Sequence, residues 1–323
     1  MAASGEPAVL RPARPVVGAA LVLGAASLWA TFGIFAKRLY DAGFAPLELA
    51  SVRAAAGFAA IAVLTLANAA VQRGRTRRHG GVEEQRDAFH VGWRALPFFA
   101  AYGVLGYALF TLAYFASLER STVSIAVALL YTAPAFVLLM SALLWKERVS
   151  GTRIVALVLV LAGVTLVTGA AGALLRGTAT LPGTALLVGL AAGATYAVYT
   201  VFSKIATERY GPAAALFWSF GFAAVAFAVL APPHLPFIRA PQHTLLLLAL
   251  GIVPTLIPYA LYLAALRELR ASTASMLAAV EPMIAAILAA LLLGERLQAS
   301  QTLGMALIVA AAVVLARRTA GQA

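Results

Sequence analysis

The sequence contains no cysteine and little charge. Charged residues make up 11% of the 323 positions, whereas 63% are hydrophobic. Without cysteine, the chain has neither a disulfide framework nor a thiol nucleophile. A soluble domain of this length could not cover so much apolar surface, so the composition predicts an integral membrane protein.

Acidic residues and histidine are scarce as well, with twelve Asp and Glu and four His. Both aspartates, Asp41 and Asp87, and all four histidines fall in loops or at the ends of apolar segments. An intramembrane serine protease needs a base beside its nucleophile, and an aspartyl protease needs two acids. Neither set can be assembled, and the sequence has no Gly-x-x-x-x-Gly-Lys-Ser/Thr phosphate loop. We therefore expect no enzyme activity, no cofactor and no metal.

The net charge of +12 would suggest nucleic acid as a partner of a soluble protein. Here, however, the basic residues lie between apolar runs. Of the 24 Lys and Arg residues, seventeen fall on the side that holds the N-terminus, six on the other side and one, Arg53, inside an apolar segment. By the positive-inside rule, both termini are expected in the cytoplasm, and the expected surroundings are a lipid bilayer rather than nucleic acid.

Ten apolar segments are long enough to cross a bilayer, which takes about 20 residues. The fold class is therefore predicted to be an all-α integral membrane protein with ten transmembrane helices. The charged segment 71–94 is expected to be a cytoplasmic loop without a fold of its own. The approximate limits of spans 1 to 10 are 16–38, 45–70, 94–118, 121–145, 151–170, 183–205, 211–231, 243–266, 271–293 and 299–316.

One stretch of the chain occurs twice. Tyr114 to Arg148 aligns without a gap with Tyr262 to Arg296, so that Tyr, Leu, Ser, Pro and Glu-Arg recur in register. The two copies are five spans apart, and an odd number of spans turns the second copy upside down. The sequence thus predicts two inverted five-helix halves, residues 1–171 and 172–323, around a central cavity. This arrangement is typical of secondary transporters.

Several motifs carry a resemblance to a known family. They are Trp29-Ala30 through Lys37, Pro134 with Glu147, and Glu281-Pro282 followed by Leu293-Gly294-Glu295-Arg296. With these motifs the chain, from about residue 16 to residue 317, resembles the EamA family of the drug/metabolite transporter superfamily. The Tyr- and Trp-rich spans are most similar to the bacterial inner-membrane members that export aromatic and other neutral amino acids.

The resemblance implies export of small metabolites, most of all aromatic or neutral amino acids, by alternating access across a bacterial inner membrane. The alternative is a proton-coupled exporter of cationic drugs or of another small metabolite. Span 1 lacks the membrane carboxylate of proton-coupled multidrug exporters, which argues against simple proton antiport. A structural or receptor bundle is also compatible with the composition, but it would not account for the inverted repeat.

Glu281 is the acidic residue that lies near the centre of a span, about ten residues from either end of span 9. A charge at that depth costs about 2.5–3.5 kcal/mol on insertion scales, so its side chain should face the protein interior. We interpret it as a ligand for a substrate ammonium group or as a protonation switch. The alternative is a structural hydrogen bond to a neighbouring helix at the break made by Pro282.

Aromatic and small residues at mid-span depth are predicted to line the cavity. Tyr and Trp combine an apolar ring with a polar tip, which suits a zwitterion that is partly apolar. The alternative is that these rings face lipid or form interface belts. Besides Glu281, the predicted cavity residues are Trp29, Tyr102, Gly103, Tyr107, Ser124, Tyr131, Tyr196, Tyr199 and Tyr259.

Span 8 carries two prolines, Pro254 and Pro258, each of which removes a backbone donor and is predicted to kink the helix, as Pro282 is in span 9. Carbonyls freed at membrane depth need protein or water partners, so span 8 is expected to line the pathway, a passive packing kink being the alternative. Arg53 is interpreted as a carboxylate ligand or gate at the outer mouth, or as a side chain that snorkels outward.

Overall fold

The computed structural model describes residues 14–79, 91–293 and 296–320, and these ranges contain helices and no strand. Nine helical segments are long and apolar enough to cross a membrane, and the 17-residue helix Gly151–Val167 is shorter but equally apolar. The described part of the chain thus confirms the predicted all-α membrane fold.

The first half contains spans 1 to 5. Span 1 consists of α1 (Pro15–Ala30) and α2 (Phe32–Asp41), and span 2 is α3 (Pro46–His79). Span 3 consists of a 3₁₀ turn (Trp93–Ala95), α4 (Leu96–Ala101), a π-helical segment (Tyr102–Ala108) and α5 (Leu109–Arg120). Span 4 consists of α6 (Val123–Leu130) and α7 (Ala133–Trp145), and span 5 is α8 (Gly151–Val167).

The second half follows the connecting helix α9 (Ala170–Leu175). Span 6 is α10 (Gly183–Tyr210), span 7 is α11 (Pro212–Leu230), and α12 (His234–Arg239) lies in the next connection. Span 8 consists of a 3₁₀ turn (Pro241–His243), α13 (Thr244–Gly251), a π-helical segment (Ile252–Leu256) and α14 (Ile257–Glu268). Span 9 consists of α15 (Ala271–Ala278) and α16 (Glu281–Leu293), and span 10 is α17 (Ala299–Ala320).

The segment predicted as a loop, 71–94, is helical over its first part, because α3 continues to His79. A helix that has already formed gains one hydrogen bond for each residue added, and Gln and Arg are good helix formers. Residues 80–90 of this segment, and Glu295 of the sequence repeat, lie outside the described residues.

The sequence repeat is also a repeat of secondary structure. The 3₁₀ turn, α5, α6, α7 and α8 of the first half begin at residues 93, 109, 123, 133 and 151, and their counterparts begin 148 residues later, at 241, 257, 271, 281 and 299. Spans 3 and 8 both contain a π-helical segment just before their last helix. Spans 4 and 9 are both interrupted after eight helical residues.

Proline explains the interruptions in spans 4 and 9. Pro134 is the second residue of α7 and Pro282 is the second residue of α16. Because proline cannot donate to the carbonyl four residues earlier and clashes with it, the preceding helix ends and a new one begins. Two half-helices therefore start near the middle of the bundle, and Glu281 is the first residue of one of them.

The packing of the helices pairs one half with the other. In both halves the first span packs against the third span of the opposite half, so that α1 lies on α14 and α10 lies on α5. The helix α3 packs on α11, and α8 packs on α17. The last pair crosses closely at Gly163 and Gly304, where a Cβ on Gly304 would lie 2.6 Å from the carbonyl oxygen of Gly163. These contacts leave the space between the two halves lined by spans 1, 2, 3, 4, 6, 8 and 9.

Candidate functional site

A pocket lies between the two halves at the depth where the half-helices meet. It encloses about 690 Å³ of empty space, including its mouth. Aromatic residues make up most of its wall, and one carboxylate and one guanidinium face it. The lining residues are Trp29, Phe32, Arg53, Phe110, Thr111, Tyr114, Phe115, Leu130, Tyr131, Tyr196, Tyr259 and Glu281.

Glu281 and Tyr131 join the two interrupted spans across the pocket. The hydroxyl of Tyr131 donates a hydrogen bond of 2.7 Å to Oε2 of Glu281. Tyr131 follows the last residue of α6, and Glu281 is the first residue of α16, where the positive end of the helix dipole stabilises a carboxylate. Within the described residues, no Lys or Arg lies within 4.0 Å of this carboxylate. Its Oε1 atom is therefore available to a cationic ligand.

Arg53 is held at the pocket rather than drawn to the surface. Its Nε donates a hydrogen bond of 3.0 Å to Oγ1 of Thr255, and the guanidinium lies 4.4 Å from the centre of the Phe32 ring. Glu48, its acidic neighbour in sequence, instead binds Arg239 through two hydrogen bonds of 3.0 Å. Arg53 thus faces the pocket with no acidic side chain within 4.0 Å in the described part of the chain.

Ring contacts connect the aromatic residues of the wall across spans 1, 8, 6 and 3, with Tyr199 joining them from behind the wall. The Trp29 ring lies 5.3 Å from that of Tyr259 in an edge-to-face arrangement, and Tyr259 meets Tyr199 in the same way at 5.3 Å. Tyr196 stacks on Tyr199 with a centroid distance of 6.0 Å, and Phe110 lies 5.2 Å from Tyr196. Such pairs fix ring orientations beyond what burial alone provides. The rings of the wall therefore hold one another in a defined arrangement.

The structure brings six of the predicted site residues together at the pocket: Trp29, Arg53, Tyr131, Tyr196, Tyr259 and Glu281. Four others are buried behind the wall or between helices. Tyr102 hydrogen-bonds to Ser203 at 2.6 Å, Tyr107 packs on Phe220, and Tyr199 supports Tyr196 and Tyr259. Gly103 is a packing residue, because a Cβ there would lie 2.7 Å from the carbonyl oxygen of Ser219.

The remaining predicted residues are placed on the elements that shape the pocket. Ser124 lies on α6, half-buried and away from the pocket wall. Pro254 lies inside the π-helical segment of span 8, and Pro258 and Pro282 are the second residues of α14 and α16. All three prolines are found where a helix changes its geometry.

Six residues of the wall were not among the predicted cavity residues: Phe32, Phe110, Thr111, Tyr114, Phe115 and Leu130. Regular helical spacing groups Tyr107 with Phe110 and Tyr114 on one face of span 3. The π-helical segment Tyr102–Ala108 adds a residue to the turn and rotates the helix after it. Tyr107 is thereby directed toward spans 7 and 8, whereas Phe110 and Tyr114 reach the pocket. The glycines at 103 and 106 were the available signal for this irregular turn.

The residues that line the pocket do not form a set of metal ligands. Among the described residues, no group of three or more His, Asp or Glu side chains comes together. The groups that face the pocket are one carboxylate, one guanidinium, phenolic hydroxyls and aromatic faces.

These features define a class of protein: a ten-helix membrane protein of two similar halves with a polar, aromatic pocket between them, which is the architecture of a transporter. The model of the EamA-like transporter family matches residues 16–169 and 183–317. The chain belongs to this family.

Relatives and one solved structure agree with this assignment. An uncharacterized transporter of Archaeoglobus fulgidus is 31% identical over 65% of this chain and 75% of its own length. A threonine/homoserine exporter of Salmonella typhimurium, RhtA, is 34% identical over 41% of this chain and 44% of its own length. One crystal structure superposes with a TM-score of 0.71 at 19% identity, covering 94% of this chain and 98% of the other, and this likeness shows the fold.

Proposed function

We propose that this protein is a secondary transporter that exports neutral amino acids, above all those with an aromatic side chain. The observation that carries the proposal is the Glu281 carboxylate, which lies in an aromatic pocket between the two halves and is held by a single hydroxyl donor. The similarity to an exporter of threonine and homoserine supports an amino-acid substrate. So does the narrower resemblance of the Tyr- and Trp-rich spans to the amino-acid exporter YddG.

The pocket offers separate places for the two ends of such a substrate. The ammonium group would bind the free oxygen of Glu281, with the π faces of Trp29 and Tyr196 beside it. The apolar side chain would lie against Phe110 and Phe115, which are in the same wall. A substrate with one cationic end and one apolar end therefore matches the distribution of charge and ring surface.

Transport would proceed by alternating access between two inverted halves. The repeated elements give each half the same irregular helices. Each half could therefore adopt the arrangement of the other, which would open the pocket on the opposite side. We place both termini in the cytoplasm and the protein in a bacterial inner membrane, because the loops on the N-terminal side hold most of the Lys and Arg. Export would then carry the substrate away from that side.

The experiment that tests the proposal is counterflow in proteoliposomes. Vesicles loaded with an unlabelled amino acid are diluted into a solution of a labelled amino acid, and uptake of the label is measured. The amino acids tested have aromatic, neutral, acidic or basic side chains. We expect uptake with aromatic and neutral members, and about tenfold or greater loss of uptake in Glu281→Gln, since a hydrogen bond to a charged group contributes about 1.5–3 kcal/mol. Glu119→Gln, which changes an exposed acid at the end of α5, should transport normally.

The same assay examines the second candidate, export of cationic drugs, which the carboxylate and the rings of the pocket also favour. Aromatic cations without a carboxylate would then compete with the label, and amino acids would not. Running the assay with and without a pH gradient separates proton-coupled exchange from facilitated diffusion. The absence of counterflow with every amino acid, in vesicles that do transport dyes, would reject the amino-acid assignment.

A further inference from the structure

The guanidinium of Arg53 is the charged group of the pocket that the proposed ammonium site does not use. Its only hydrogen bond in the described part of the chain is the one from Nε to Thr255, so both Nη atoms lack a protein partner there. A cation two turns into a membrane span is expected to find a counter-charge or water. The pocket supplies neither a carboxylate within 4.0 Å nor a second acceptor for the outer end of this side chain.

The orientation of Arg53 is fixed by a relay that begins with a proline. Pro254 has no N–H, so the carbonyl of Leu250, four residues earlier, loses its usual helical partner. The hydroxyl of Thr255 donates to that carbonyl at 2.7 Å. The hydroxyl proton is thereby committed to the backbone, and the oxygen lone pairs of Thr255 accept the bond from Nε of Arg53 at 3.0 Å.

The Phe32 ring completes this arrangement from the other side. It lies 4.4 Å from the central carbon of the guanidinium, within the range of a cation–π contact. The Nε atom of the guanidinium is therefore bound to Thr255, and one face is covered by Phe32. The edge formed by the two Nη atoms is left for a ligand. A planar guanidinium held in this way presents two parallel donors, the geometry that a carboxylate accepts.

The internal repeat does not account for any member of this relay. Pro46 and Pro212 are the first residues of α3 and α11, so Arg53 corresponds to Ser219 in the second half. Pro254 and Thr255 correspond, 148 residues earlier, to Gly106 and Tyr107. The relay is thus present on one side of the pocket alone, as expected for groups that bind an asymmetric ligand rather than maintain the fold.

We propose that the Nη edge of Arg53 is the carboxylate subsite of the transporter, with Thr255 as its positioning residue. This inference rests on the proposed function and names the substrate class more closely: small α-amino acids with a free carboxylate, bound with the carboxylate at Arg53 and the ammonium group toward Glu281. Amides, esters and decarboxylated amines of the same amino acids leave the guanidinium unpaired and bind more weakly.

The test measures binding, so that it does not depend on transport. The thermal unfolding of the purified protein in detergent is followed with L-phenylalanine, L-phenylalaninol, 3-phenylpropionate and 3-phenylpropanamide. We expect L-phenylalanine and 3-phenylpropionate to stabilise the wild type at concentrations about tenfold or more below those that L-phenylalaninol and 3-phenylpropanamide, their counterparts without a carboxylate, require. Equal stabilisation by 3-phenylpropionate and its amide would overturn the assignment.

Variants assign the effect to Arg53. In Arg53→Gln, the ratio by which the carboxylate is preferred over the amide should fall to about one. Arg53→Lys should retain part of the preference, because lysine keeps the charge but not the two parallel N–H donors of the guanidinium. Thr255→Val should weaken the preference, whereas Thr255→Ser keeps the hydroxyl and should preserve it. Arg239→Gln removes an exposed arginine outside the pocket and is the matched control. An unchanged preference in a folded Arg53→Gln protein would also overturn the subsite.

The two proposals fail in different ways. If 3-phenylpropionate binds through Arg53 but no amino acid supports counterflow, the carboxylate subsite stands and the amino-acid substrate does not. If amino acids support counterflow and their amides compete equally well, the transporter assignment stands and the role of Arg53 is refuted.

Discussion

The segment Leu109–Trp145 and its repeat, Ile257–Leu293, have the same helices at the same boundaries but not the same surroundings. In the second copy α15 is buried at seven of its eight residues, whereas in the first copy α6 is buried at Ile125 and Ala126 alone. The helices before them differ in the same direction, since α14 buries six residues and α5 three. Identical local structure has been placed in two different packing environments.

The two copies also contribute differently to the pocket. The pocket residues Tyr114, Phe115, Leu130 and Tyr131 correspond to Tyr262, Leu263, Ala278 and Ala279, which are all fully or almost fully buried. The first copy thus contributes six of the twelve lining residues of the pocket, and the second copy contributes Tyr259 and Glu281. If the two halves exchange environments, as alternating access requires, α6 has the more exposed of the two environments in the described structure.

The largest effect is expected at the buried ion pair of Glu147 and Arg153, whose arginine is replaced by a glutamine in the second half. Nη1 of Arg153 lies 2.7 Å from Oε2 of Glu147, and the two side chains are 8% and 14% exposed. The residue that corresponds to Arg153 is Gln301, which binds the carbonyl of Val167. Arg153→Gln copies this arrangement into the first half, and breaking so buried a pair should lower the free energy of unfolding by about 3–5 kcal/mol. Thermal or denaturant unfolding in detergent measures the change.

Two further variants make this first test specific. Arg148→Gln changes an exposed neighbour and should stay within about 0.5 kcal/mol of the wild type. Glu147→Gln combined with Arg153→Gln should be less destabilised than Arg153→Gln alone, because no charge is left unpaired. If Arg153→Gln unfolds like Arg148→Gln, the ion pair does not distinguish the halves.

The second prediction compares two serines that occupy the same position of the repeat. Ser124 lies half-buried on α6, and Ser272 on α15 is 0% exposed. The chain has no cysteine, so Ser124→Cys and Ser272→Cys each introduce a single thiol of similar size. We expect the thiol at 124 to react with a small maleimide about a hundredfold faster, the ratio that an opening free energy of about 2.7 kcal/mol produces.

Substrate should move the two labelling rates in opposite directions. A ligand that closes the α6 side protects the thiol at 124, and conversion to the opposite arrangement exposes the thiol at 272. Denatured protein, in which both thiols react equally, controls for intrinsic reactivity. Equal rates in the folded variants would contradict the difference in burial on which the comparison rests.

The third prediction concerns the closeness of spans 4 and 6. A Cβ on Gly193 would overlap Oγ1 of Thr132 and lie 3.0 Å from the carbonyl oxygen of Leu129, at the break in span 4. When span 1 is aligned with span 6 so that Trp29-Ala30 falls on Tyr196-Ala197, Gly193 corresponds to Ala26, which already carries a Cβ and is fully buried. Gly193→Ala should therefore destabilise the protein by about 1–3 kcal/mol, since overpacking displaces neighbouring backbone.

The control for Gly193 is another glycine in a span. A Cβ on Gly24 would lie 3.5 Å from Cδ1 of Leu261, an ordinary contact, so Gly24→Ala should be neutral or slightly stabilising. Unfolding of both variants in the same detergent gives the comparison. A Gly193→Ala protein as stable as Gly24→Ala would show that the two first spans tolerate the same packing.

Much of the fold could be predicted because it depends on local patterns. Runs of apolar residues gave all ten spans within a few residues, and Pro134 and Pro282 marked the irregular positions of spans 4 and 9. Glu281 stood out because an acid at mid-span has to face protein or water. Each of these signals is contained in a short stretch of sequence and needs no knowledge of its neighbours.

The wall of the pocket was harder to predict, because it depends on helix rotation and on which side is open. The π-helical segment Tyr102–Ala108 redirected Phe110 and Tyr114, and regular spacing cannot represent such a turn. The relay from Pro254 through Thr255 to Arg53 joins residues about 200 positions apart in the chain. Ser124 and Ser272 occupy the same position of two aligned stretches, so the sequence gives no sign that one is half-buried and the other fully buried.

The smallest effect is expected at a second ion pair, which is more exposed to solvent than that of Glu147 and Arg153. Arg239 binds Glu48 through two hydrogen bonds of 3.0 Å, but their side chains are 53% and 20% exposed. Arg239→Gln should therefore change the free energy of unfolding by less than about 1 kcal/mol, because water screens the pair. Glu48→Gln should have a somewhat larger effect, since the carboxylate also accepts the N–H of Ala45 at the start of α3. If raising the salt concentration erases the effect of Arg239→Gln but leaves that of Arg153→Gln, burial is what separates the two pairs. Equal losses in both variants at every salt concentration would refute that explanation.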